Sequence, residues 1–122
     1  MEREEFRELV VKAVKSLPRL FRKRMENISV VVVDYPSRED AQKTGASRLS
    51  LLGLYQGVPL GKRSVWQNQT MPDKISIFQA NIERTARTPE EVQALVREVV
   101  MHEIGHYFGL NEDELREAME KE

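Results

Sequence analysis

Short apolar stripes alternate with polar stretches along the chain, and their spacing predicts the elements. Phe6, Leu9, Val10, Ala13, Val14 and Leu17 recur every three or four residues, which predicts an amphipathic helix over residues 3–17. Pro18 ends it, since a proline ring removes a donor and clashes with the preceding turn. The basic segment Arg19-Leu20-Phe21-Arg22-Lys23-Arg24 then reads as a solvated turn or short helix with Leu20 and Phe21 turned inward. Ile28 to Val33 is a near-continuous β-branched run, the pattern of a strand buried on both faces. Tyr35-Pro36-Ser37 closes it, and residues 38–50 are polar, a loop with one helical turn. Leu51 to Gly57 predicts a second strand, in which Gly53 hints at a bulge or a close backbone approach. Val58 to Asp73 contains Pro59, Gly61, Asn68 and Pro72 and reads as a long surface loop. Ile75, Ile77 and Gln79 alternate with Ser76 and Phe78, predicting a third strand over 74–80.

The clearest element comes next. Thr88 is a good N-cap, Pro89 suits the first helical position, and Glu91 completes a Thr-x-x-Glu capping box. Val92, Leu95, Val96, Val99, Val100 and Ile104 continue at a helical period, and Gly109 is the natural stop. Asn111 can cap a last short helix with Glu114 at its third position. Helix, strands, long helix and short helix define an α+β arrangement in one domain over residues 1–122.

Composition narrows the function classes. The chain has 122 residues, 40% of them apolar, enough for one core and too little for two. Nineteen basic and twenty acidic side chains leave a net charge of −1, which gives no field to recruit nucleic acid or an anionic membrane. The absence of cysteine excludes a disulfide framework, an iron–sulfur cluster and a thiol nucleophile. No apolar run approaches the ~20 residues of a membrane span, and Glu2, Glu4, Glu5 and Glu8 do not suit a signal peptide. A soluble, cytoplasmic domain is the expectation.

Both histidines fall in one five-residue stretch, His102-Glu103-Ile104-Gly105-His106, inside the long helix. This is the H-E-x-x-H pattern. Residues four apart share a helix face, so two imidazoles there can converge on one zinc ion. Glu103 is turned about 100° from His102 and can lie beside the metal, poised to take a proton from water. Two histidines and an intervening glutamate fall into this arrangement by chance only about once in 500. A catalytic zinc takes three protein ligands. With no third histidine and no cysteine, the third must be an oxygen ligand. A turn at Gly109 can bring Glu112, or alternatively Asp113, back to the metal, with Glu117 a more distant choice. The same acids have an ordinary use in the first turn of a helix, where they complement its dipole.

The stretch His102-Glu103-x-x-His106-x-x-Gly109-x-x-Glu112 resembles the extended metzincin motif with an acid in place of the third histidine. More closely, the segments at 51–60, 72–78 and 100–110 resemble the small zincin-like metallopeptidases of bacteria. The resemblance implies a minimal zincin fold: a small twisted sheet, an N-terminal backing helix and the long histidine-bearing helix. It implies one zinc ion at His102, His106 and an acid, with Glu103 as general base and a peptide or protein as substrate. It also implies an edge strand that pairs with substrate, for which Ile75 to Phe78 is the candidate. Two features depart from the family pattern. Met119 lies in a predicted helix near the end and reads as packing rather than a methionine turn. Neither Tyr55 nor Tyr107 is placed by the sequence as an oxyanion stabiliser, and Trp66 in the 58–73 loop suits a packing anchor or a lid.

The leading reading is therefore a zinc-dependent peptidase. Its rivals are a zincin-shelled module that binds zinc or peptide without cutting, and a metal-dependent ribonuclease supported only by the basic stretch at 19–24.

Overall fold

Nine elements form among the residues that the computed structural model describes, 1–25, 27–57 and 73–120. The loop expected over 58–73, with Trp66, lies outside them except for Asp73. Helix α1, Arg3–Lys15, buries Phe6, Val10 and Ala13 along one stripe, with Glu4 and Glu5 in its first turn and Lys12 and Lys15 in its last. Both sets of charges complement the helix dipole. Leu17 continues the buried stripe beyond the helix end.

Helix α2, Arg19–Arg24, follows Pro18. Its Phe21 meets Phe108 edge-on, with ring centroids 4.9 Å apart, as the sequence suggests. Leu20 departs from that expectation and stays 55% exposed. Strand β1, Ile28–Val33, is an outer strand, and Ser29 and Val33 are exposed. The expectation of burial on both faces fails because a β-branched run encodes strand preference but not strand position. Helix α3, Arg38–Thr44, is longer than the single turn expected; Ser37 caps it by accepting from Asp40 N at 3.0 Å, and Gly45 ends it at φ 73°.

Strand β2, Gly53–Gln56, pairs antiparallel with strand β3, Asp73–Phe78, and β1 pairs parallel with β3. The order is β1-β3-β2. β3 is thus the central strand, and Ile75, Ser76, Ile77 and Phe78 are all buried. This corrects the assignment of Ile75 to Phe78 as a substrate-pairing edge: both of its edges are already paired. Helix α4, Gln79–Thr85, starts directly from β3 with no capping side chain and was not expected. Helix α5, Pro89–Phe108, and helix α6, Glu112–Glu120, complete the chain.

The core lies between α1, the sheet and α5. Phe6, Val10, Ile75, Ile77, Val96, Val100 and Ile104 form its centre. Each fully buried aliphatic side chain there contributes about 1.5–3 kcal/mol relative to exposure. The fold is α+β with α1 as a backing helix, so α5 is held on one side and presents its other side outward.

Candidate metal centre

Helix α5 is fixed at both ends by its own sequence. Thr88 Oγ1 accepts from Glu91 N at 3.1 Å, and the Glu91 carboxylate accepts from Arg87 N at 2.6 Å. Gly109 closes the helix at φ 70°, a left-handed conformation that glycine adopts without a Cβ penalty. Between these caps the apolar positions face α1 and the sheet, and His102 and His106 face outward. Their side chains are 48% and 52% exposed, and their ring centroids are 4.5 Å apart.

Glu103 differs from both neighbours. It is 5% exposed, although it is a carboxylate. Its Oε1 accepts from the backbone N–H of Tyr55 on β2 at 2.9 Å and lies 3.5 Å from His106 Nδ1. Burial pushes its carboxyl above the ordinary value; His106, His102 and the Tyr55 N–H pull the other way. One ligand atom from each of His102, Glu103 and His106 lies within 4.8 Å of the others, so the group could hold a metal ion. Two imidazoles and carboxylate oxygen are a donor set that suits zinc.

Beyond Gly109 the chain turns back. Leu110 N donates to Gly105 O at 2.8 Å, and Asn111 and Glu114 form a reciprocal capping box. Glu114 is thereby occupied in capping. Glu112 reaches one of the histidines, its Oε1 3.2 Å from His102 Nδ1. Asp113 does not join them: it is 90% exposed and faces Arg116 at 4.0 Å.

The histidines line an open groove of about 1450 Å³. Helix α5 forms its floor, β2 and residues 50–52 one wall, and α6 one end, where Leu115 and Met119 contribute. Met119 also packs against the core, as expected of a packing residue. Tyr107 is buried, stacks edge-on against Tyr55 at 5.8 Å, and donates its hydroxyl to Arg24 O at 3.1 Å. The Tyr55 hydroxyl donates to Asp73 Oδ1 at 3.1 Å.

Two residues of the site escaped the motif. Gly105 reads only as a variable position of H-E-x-x-H. A Cβ there would stand 3.0 Å from Leu110 O, so glycine permits the close return of the chain toward α6. The backbone of Tyr55 carries no side-chain signal at all, and its role emerges only from the packing of β2 on α5.

A helix-borne histidine pair and a buried glutamate thus stand together in an α+β fold with a small mixed sheet. A family profile described as zincin-like metallopeptidase matches residues 25–121, and the chain belongs to that family. Comparison with curated proteins returned no match.

Proposed function

We propose that the protein is a zinc-dependent peptidase in which His102, His106 and Glu112 hold one zinc ion and Glu103 is the general base. One observation carries the reading: two exposed imidazoles and a buried carboxylate converge within 4.8 Å on the floor of an open groove. The family supports the same class of activity. The 3.2 Å contact of Glu112 with His102 favours it over Asp113 as the third ligand.

Zinc, when bound, supplies Lewis acidity that lowers the pKa of water and polarises a scissile carbonyl. The chain's own residues do the rest. Glu103 is held by Tyr55 N–H through Oε1, which leaves its second oxygen to take a proton from the attacking water. It then returns that proton to the departing amine nitrogen. Its burial raises proton affinity toward the range useful at neutral pH. β2 borders the groove and is an outer strand among the described residues, so it replaces β3 as the strand against which an extended peptide can lie.

The test is cleavage of a broad peptide mixture by the zinc-loaded protein, read by mass spectrometry. Wild type is expected to produce fragments, and Glu103→Gln to retain zinc and produce none. Stoichiometric zinc with no cleavage by wild type would point instead to a module that binds without cutting.

A further inference from the structure

We infer that Gly53 is a positioning residue for Glu103: by having no side chain, it lets β2 approach α5 closely enough for Tyr55 N–H to hold the carboxylate. The inference rests on Glu103 serving as general base, the role proposed above.

Two independent observations meet at this point. First, Glu103 Oε1 accepts from Tyr55 N at 2.9 Å, across 48 residues of sequence, so a strand backbone orients the glutamate. Second, a Cβ added at Gly53 would stand 2.6 Å from Val99 Cγ1, 3.2 Å from Glu103 Cγ and 3.3 Å from Ser76 O. A separation of 2.6 Å between carbons is far inside contact distance. Val99 is buried and β-branched on a helix, with little rotameric freedom to withdraw. Ser76 O belongs to the central strand. An alanine at position 53 therefore has to lift β2 from α5.

Position 53 and position 55 lie on the same side of β2, since side chains alternate along a strand. Gly53 faces Val99 and Glu103, while the Tyr55 ring stacks on Tyr107 one turn further along α5. The strand is thus seated on the helix at two points, and the N–H that holds Glu103 belongs to the second of them. A hydrogen bond of 2.9 Å has little slack: a shift of roughly 0.5–1 Å takes it out of range. What β2 supplies is orientation. Tyr55 N–H holds Glu103 Oε1, the oxygen that lies 3.5 Å from His106 Nδ1, and so fixes the carboxylate beside the histidine pair.

The experiment reads Tyr55 directly and needs no turnover. Amide hydrogen exchange is followed by NMR on wild type, Glu103→Gln, Glu103→Ala, Gly53→Ala and Gly53→Ala combined with Val99→Ala. The Tyr55 amide is expected to exchange slowly in wild type and in Glu103→Gln, whose amide oxygen still accepts. It is expected to exchange about tenfold faster or more in Glu103→Ala and Gly53→Ala, and to recover in the double variant, where the clash with Val99 is relieved. In parallel, Gly53→Ala is expected to retain zinc and KM within about twofold while kcat falls about ten- to hundredfold, with partial rescue by Val99→Ala. Equal Tyr55 exchange in wild type and Glu103→Ala would overturn the inference, as would unchanged exchange in Gly53→Ala. If no variant cleaves peptide, the peptidase reading fails while the exchange data still decide the role of Gly53.

Discussion

At the scale of residues, Glu103 combines burial with charge. Its carboxyl is raised by desolvation, opposed by His106, His102 and the Tyr55 N–H. The stability it contributes is fully present below the unfolded-state carboxyl pKa, about 4.3, and is lost as pH rises through the higher folded value. Removing the charge should therefore help most at high pH. In excess chelator, Glu103→Gln is expected to melt a few degrees above wild type at pH 8, with a clearly smaller difference near pH 4. A difference independent of pH would contradict the burial argument. The same substitution is expected to lower peptide cleavage by about a thousandfold or more while zinc content stays constant, since it removes the proton acceptor and leaves the histidines intact. His102, Glu103 and His106 were legible because helix geometry ties residue spacing to direction. Glu112 and Asp113 could not be separated from sequence, because the turn at Gly109 decides which acid faces the histidines. Structure resolves the directions: Glu112 toward His102 and Asp113 toward Arg116.

At the scale of elements, the connection from α5 to α6 sets the position of Glu112. Leu110 folds back over Gly105, with Leu110 N donating to Gly105 O at 2.8 Å. A methyl group at position 105 would press on Leu110 O at 3.0 Å and move α6. Gly105→Ala is accordingly expected to weaken zinc binding about tenfold in calorimetric titration, close to the loss from Glu112→Ala. The double variant should lose little more than either single one, because both act through the placement of Glu112. Additive losses would contradict this. Helix α5 was legible end to end because Thr88, Pro89, Glu91 and Gly109 each have a local physical role. Helix α4 was not, because it leaves β3 at Phe78 without a loop or a capping side chain. The alternation of Ile75 and Ile77 identified a strand, but whether a strand is central or outer depends on partners distant in sequence. That is why β3, expected at an edge, is the central strand, while β2 is an outer strand among the described residues.

At the scale of the whole molecule, one core supports the histidine-bearing helix α5. Helix α1 and the sheet pack against α5, and the groove opens along α5 beside β2. Helix α6 is attached more lightly, with Leu115 as its buried residue. Zinc held by α5 and α6 together would fasten that end of the molecule. Saturating zinc is therefore expected to raise the melting temperature and to slow amide exchange across residues 112–120. At a hundredfold excess over Kd the stabilisation would be about 2.7 kcal/mol. Zinc that raises the melting temperature equally in Glu112→Ala would remove Glu112 from the ligand set. No helix among the described residues is long and apolar enough to cross a membrane, consistent with the mixed charge seen in the sequence.

The proposed peptidase activity depends on a metal held by the only two histidines in the chain. Metal analysis by mass spectrometry of the purified protein beside His102→Ala tests that dependence most directly. About one zinc per wild-type chain is expected, with most of it lost in His102→Ala. Equal zinc in the two proteins, whether near zero or near one, would contradict it.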